Sequence, residues 1–302
     1  MNKYNCWLAI DKPVGFTCGK ILAKIKKILN TKKIGHTGTL DPFASGVLCV
    51  AVGEATKTIP FINDKQSKSY EFVIIFGQKT DTLDSDGEII EENDIRPEKS
   101  RVEDILAKFT GEIEQIPPKY SALKIDGERA YNLARKGVDF ELKSRKVNIH
   151  SLKMLEWNED SAKFSVECSK GTYIRTLGED IAATVGCLGH LTYLRRTKDL
   201  CFDESNIIEL DFLDKVVHNA SVNLDDHSSR RSSKVFYPVD YVLDDILAVS
   251  LDKLQLKDIK QGRIVKINQN YNSRVRAKYQ DKLAAVGWLH QNNLQPIRVF
   301  NY

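Results

Sequence analysis

The stretch Lys33-Ile-Gly-His36-Thr-Gly-Thr-Leu-Asp41-Pro-Phe-Ala-Ser-Gly46 constrains this 302-residue chain more than any other. Three glycines and Pro42 within fourteen residues make a loop whose shape is set by backbone geometry, not by a hydrophobic core. It runs straight into Val47-Leu-Cys-Val-Ala-Val52, an unbroken apolar run that predicts a buried strand. The loop lacks the Lys-Ser/Thr ending of a phosphate loop and the strand, G-x-G-x-x-G, helix order of a dinucleotide site. What it carries is one carboxylate, Asp41, and one imidazole, His36. An Asp before Pro also suits an ordinary turn, and a loop histidine also suits a structural bond, so neither residue alone assigns chemistry.

The pattern on either side of this loop predicts an α+β fold. Trp7–Ile10 reads as a strand, and Thr17 as the N-cap of a helix with Ile21, Leu22, Ile25, Ile28 and Leu29 on one face. Lys20, Lys24, Lys26 and Lys27 occupy the opposite face, as either a solvated surface or a phosphate-contacting one. Tyr70 to Phe76 reads as a central strand. Helices are expected over 98–109, 130–135 and 174–184, and strands over 145–155 and 163–168. Strands mixed with isolated helices predict a mixed, largely antiparallel sheet with flanking helices. Short strands between 263 and 300 predict a small C-terminal β-barrel. The expected division is 1–245 and 246–302, with a polar surface loop near 212–235 in the first part.

Composition narrows the class. Hydrophobic residues at 42% suffice for a sizeable core, and no apolar run approaches the roughly 18–20 residues of a membrane helix. The N-terminal residues show no secretory pattern, so a cytoplasmic protein without membrane contact is expected. The six cysteines form no C-x-x-C pair and no zinc-finger spacing with histidine, which predicts reduced, buried thiols and no metal. A net charge of +4 permits an anionic partner without requiring one.

Three further segments offer chemistry. Arg175, in Gly171-Thr-Tyr-Ile-Arg175, stands where a strand meets a helix, and its fork suits a carboxylate or phosphate as well as a structural ion pair. Tyr70 can stack on a base or pack in the core. Pro117-Pro-Lys119-Tyr120-Ser-Ala-Leu-Lys124 interleaves basic, aromatic and hydroxyl side chains, as an RNA-binding segment does. A glycosidase needs a second carboxylic acid, which Asp81, Asp84 or Asp86 can supply, so spacing leaves that reaction open.

Five blocks together resemble the bacterial tRNA pseudouridine-55 synthases, the TruB family: Asp11-Lys12-Pro13-x-Gly15-x-Thr17, Gly35-His-Thr-Gly-Thr39-Leu-Asp41-Pro42, Gly53-Glu-Ala-Thr-Lys57, Pro117–Lys124 and Gly171–Arg175. The resemblance implies the pseudouridine synthase fold with a C-terminal PUA-like domain. It also implies an isomerase that turns one uridine of the tRNA T-loop into pseudouridine as a monomer, without cofactor, metal or protein partner. By the same resemblance Asp41 is the catalytic aspartate, Arg175 its ion-pair partner, and Tyr70 the stacking residue and a candidate for proton transfer. His36 then helps admit or hold the flipped nucleotide, and Leu194 packs at the base pocket. Lys12, Thr39, Lys119 and Tyr120 fall in the matching blocks as substrate-binding candidates. Cys18 departs from the family, which usually has serine there.

Overall fold

The computed structural model describes residues 4–62, 66–218, 235–269 and 271–301. The chain opens with β1 (Cys6–Lys12), α1 (Cys18–Ile28), β2 (Ile34–His36), β3 (Ser45–Val52) and β4 (Lys68–Phe76). A small hairpin follows, β5 (Gln78–Thr80) and β6 (Ile89–Glu92), then α2 (Lys99–Ile105) and β7 (Gly111–Gln115). An excursion carries β8 (Lys124–Ile125), β9 (Glu128–Arg129) and α3 (Ala130–Arg135). The chain returns through β10 (Arg145–Trp157), β11 (Ser161–Cys168), α4 (Ile174–Thr184), β12 (Gly189–Asp199), β13 (Phe202–Asp203) and α5 (Leu210–His218). The last group is β14 (Leu247–Ser250), α6 (Lys253–Lys260), β15 (Val265–Lys266), β16 (Ser273–Tyr279), β17 (Lys282–His290) and β18 (Asn293–Val299).

The main sheet runs β1-β3-β12-β4-β11-β10-β7, with β2 added on β3 and β13 on β12. Its pairings are antiparallel except β3 with β12. β4 is central, as its pattern predicts. Lys68, Tyr70, Phe72, Ile74 and Phe76 are all buried along one face. The unbroken apolar run of β3 has a direct cause, because both of its faces are covered. Leu48, Val50 and Val52 join Leu8 and Ile10 of β1 and Ile21 and Ile25 of α1 in the main core. Val47, Cys49 and Ala51 join Trp7 and Ala9 in a second core, closed by Leu283, Val286 and Phe300 from the C-terminal strands.

The C-terminal strands form a curled five-stranded sheet, β14-β16-β17-β18-β15, of PUA-like half-barrel form. α6, which the sequence reading passed over, starts at a capping box in which Asp252 and Gln255 bond each other's backbone N–H groups. The polar loop expected from 212 to 235 needs correction at its start. Residues 212–218 are helical in α5, because Phe212, Leu213, Val216 and Val217 recur at helical spacing and pack on the main core. Residues 219–234 lie outside the described residues. Among the described residues no helix is long and apolar enough to cross a membrane.

Candidate active site

Thr17 caps α1 as its sequence predicts, accepting from the Lys20 N–H at 3.2 Å, and Ile21 and Ile25 fix the helix in the core. The loop before β3 is tied to this rigid corner. Gly15 N–H donates to Pro42 O at 2.8 Å, and Lys12 Nζ donates to Pro13 O, Phe16 O and Pro42 O at 2.9, 2.8 and 3.3 Å. At the far end of the loop, β3 meets β12 through Arg195↔Ser45 and Arg196↔Gly46. Gly46 sits at φ +98°, and a Cβ there would overlap the Arg196 carbonyl oxygen, so this close approach requires glycine.

Asp41 hangs from that loop at the boundary of two cavities. The larger, about 730 Å³, is lined by His36, Thr39, Asp41, Asp84, Tyr120 and Arg175 among others. The smaller, about 310 Å³, is lined by Thr39, Asp41, Lys68, Tyr70, Leu194 and Arg196 among others. Asp41 and Thr39 line both.

Arg175 lies in the first turn of α4, whose entrance is fastened by Gln115. That buried amide accepts from Tyr173 N–H at 2.7 Å and donates to Tyr173 O at 3.0 Å. The guanidinium donates to Thr82 O at 2.7 Å and to Tyr120 O at 2.9 Å, and its Nη1 stands 3.3 Å from Asp84 Oδ2. Its Nε lies 3.0 Å from Asp41 Oδ2, close enough for an ion pair though not aligned as a hydrogen bond. The Arg175 side chain is only 4% exposed, whereas that of Asp41 is 34% exposed. The guanidinium is therefore a fixed, dry anchor, and the carboxylate beside it is open to a ligand.

Tyr70 is buried. Burial raises its phenol pKa well above the ordinary value, so the hydroxyl keeps its proton at neutral pH. Its hydroxyl meets Arg196, which is fully buried and donates to Val47 O at 2.7 Å and to Gly38 O at 3.3 Å. Asp199 offsets this cation, with Oδ2 3.4 Å from Arg196 Nη2, and also pairs with Lys68 and accepts from Thr37. Leu194 is 5% exposed and faces the same small cavity.

Lys12, Lys119 and His36, all expected to contact substrate, occupy three different settings. Lys12 is fully buried, and the three backbone carbonyls that accept from its Nζ saturate an ammonium group, so it shapes the Asp41 loop and has no donor left for RNA. Lys119 points outward, 62% exposed at its side chain and 3.4 Å from Asp139, and lines neither cavity. His36 faces the larger cavity and not the one that holds Tyr70. Burial lowers its pKa, so the ring is neutral at pH 7, and its buried Nδ1 has no hydrogen-bond partner among the described residues.

Asp84, Gln115, Lys68, Asp199 and Arg196 are the site residues that the sequence reading did not assign. Asp84 was visible only as one acid among several in Asp81–Asp86. Gln115 carries no signal, because nothing local tells that its amide faces Tyr173. Among the described residues no group of three His, Cys, Asp or Glu side chains is arranged to hold a metal ion.

Residues 26–174 match the model of the TruB family pseudouridylate synthase N-terminal domain, and residues 175–244 that of the tRNA pseudouridylate synthase B C-terminal domain. The chain belongs to the TruB family of pseudouridylate synthases. It is 41% identical to the tRNA pseudouridine synthase B of Caulobacter sp. (strain K31), over 97% of this chain and 95% of that protein. It is 39% identical to that of Ehrlichia ruminantium (strain Gardel), over 98% and 99%. Among solved structures, a Cbf5-Nop10-Gar1 complex matches with a TM-score of 0.69 and 24% identity, over 98% of this chain and 84% of that one. An H/ACA RNP bound to a substrate RNA containing 2'-deoxyuridine matches with a TM-score of 0.69 and 23% identity, over 98% and 85%. At these identities the two structures establish the fold alone, which is the α+β class that the sequence predicts. As a TruB-family member the chain is a pseudouridine synthase, an isomerase.

Proposed function

We propose that this chain converts uridine 55 in the T-loop of tRNA to pseudouridine with Asp41 as the catalytic carboxylate. Residues 1–245 then form the catalytic unit and residues 246–302 a PUA-like RNA-binding unit. The observation that carries the reading is the placement of Asp41, held 3.0 Å from a buried guanidinium on the wall between two cavities.

The reaction breaks an N-glycosidic bond, rotates the base and rejoins it through carbon. A uridine stacked in a folded loop must first be everted, at a cost of about a few kcal/mol. Stacking on the Tyr70 ring, worth roughly 1–3 kcal/mol, offsets part of that. Asp41 then attacks the sugar C1′ or uracil C6, or removes a sugar proton toward a glycal. Each route starts at its free carboxylate edge, opposite the oxygen that faces Arg175. Leu194 and Ile174 give the smaller cavity apolar walls against the base.

Incubating unmodified tRNA with the purified chain alone tests the reading. Carbodiimide treatment followed by reverse transcription should stop at position 55 and nowhere else in the T-loop. Release of free uracil would mark a hydrolase, and binding without any stop would mark an RNA-binding protein. Tyr70→Phe keeps the ring and removes the hydroxyl. Turnover should fall about 10²-fold while the Kd for RNA stays within about twofold, as expected when a proton-transfer group is lost from an intact binding surface. Turnover equal to wild type would leave Tyr70 as a stacking surface only.

A further inference from the structure

We propose that Cys18 is a positioning residue for Asp41, acting through the backbone of Leu40. The proposal rests on the reading of Asp41 as the catalytic carboxylate.

The thiol makes two bonds to one residue. Its Sγ accepts from Leu40 N–H at 3.2 Å and donates to Leu40 O at 3.4 Å, both in the protein interior. Other thiols of the chain are placed differently. Cys49, Cys187 and Cys201 each donate to a single carbonyl, of Asp199, Ile95 and Tyr241 respectively. Leu40 immediately precedes Asp41, and both its peptide groups are held by a side chain that opens a helix. α1 begins at Cys18, its first turn is capped by Thr17, and Ile21 and Ile25 fix it in the core. The thiol is therefore mounted on a rigid element and fixes the two peptide groups of Leu40, whose side chain is buried in the main core with Phe43 and Ala44.

The grip is matched on the other side of Asp41. Pro42 O accepts from Lys12 Nζ and from Gly15 N–H, so the catalytic residue is held one position before and one position after. These two fasteners come from the same corner, residues 12–18. Cys18 also lines the larger cavity with Asp41 and Arg175, so its bonds lie at the site itself and not in a distant part of the core.

Loss of the bonds to Leu40 lets the Asp41 carboxylate drift from Arg175 and from the reacting atoms. A displacement of about 1 Å at a reacting group costs up to about 10²-fold in rate. Because the carboxylate still occupies the cavity, RNA binding is little changed. A weak donor and weak acceptor such as a thiol can be replaced by a hydroxyl in both roles, and by no apolar group.

The test compares Cys18→Val, Cys18→Ala and Cys18→Ser with wild type in single-turnover isomerisation of tRNA at saturating enzyme, with Kd for the RNA and Tm measured in parallel. Valine is close to the thiol in volume and makes neither bond. Its rate constant should fall about tenfold with Kd unchanged within about twofold, and serine should restore the rate to within about threefold of wild type. A valine variant as fast as wild type overturns the proposal, as does a serine variant as slow as valine, which would make volume the property that matters. If valine shows no melting transition, the smaller Cys18→Ala answers by the same criteria. Wild-type protein that leaves tRNA unmodified would instead overturn the catalytic reading on which this rests.

Discussion

Asp41→Asn should retain tRNA binding within about twofold and lower isomerisation by at least about 10³-fold, equivalent to about 4 kcal/mol of lost transition-state stabilisation. The amide matches the carboxylate in shape, so the loop keeps its ties through Lys12, Gly15 and Cys18. Arg175 keeps a partner too, because Asp84 remains 3.3 Å from its Nη1. The fold therefore loses little, and what disappears is the anionic oxygen that attacks or takes a proton. Tritium release from tRNA labelled at C5 of uridine measures the step, and a filter-binding isotherm measures the complex. Release at the wild-type rate by the pure variant would remove Asp41 from the chemistry. Parallel losses in rate and affinity would show that the carboxylate mainly binds.

Much of the fold was legible because local signals and tertiary demands agree. Thr17 reads as an N-cap and is one. The Tyr70–Phe76 alternation reads as a central strand and lies between β12 and β11. The site was legible in part. Asp41 and Arg175 could be nominated from the matching blocks, and Tyr70 and Leu194 only through the family resemblance; the structure puts Asp41 beside Arg175 and has Tyr70 and Leu194 line one cavity. What a motif does not report is direction. Lys12 sits in a matching block yet turns its ammonium onto three carbonyls, a fact set by the path of residues 13–16 and 42. Buried partners were equally hidden. Asp199 is 131 positions from Lys68, and only the β4–β12 register, Asp199↔Lys68, makes them neighbours. The α5 turns were missed for a different reason: averaging 211–235 as one polar stretch diluted Phe212, Leu213, Val216 and Val217.

Arg175→Lys should slow isomerisation by about 10²-fold or more and lower stability, with the two losses separable. An ammonium is a point charge with three donors on a flexible stem, whereas the guanidinium here donates to Thr82 O and Tyr120 O and at the same time stands within ion-pair distance of Asp84 and Asp41. Lysine cannot span them all, and Asp84 is the partner least able to do without. Burial already pushes the Asp84 carboxyl pKa up, with Thr82 and Arg175 acting against that rise. Removing one partner of a buried charge pair costs about 3–5 kcal/mol in the worst case, and lysine should fall below that because it keeps the charge. Urea unfolding reads that part. The double variant Arg175→Lys, Asp84→Asn should recover stability, since no buried carboxylate is then left short of a partner, without recovering turnover, since Asp41 still lacks the fixed guanidinium at its side. Recovery of both together would show that Arg175 serves the fold alone, and that its closeness to Asp41 has no part in catalysis.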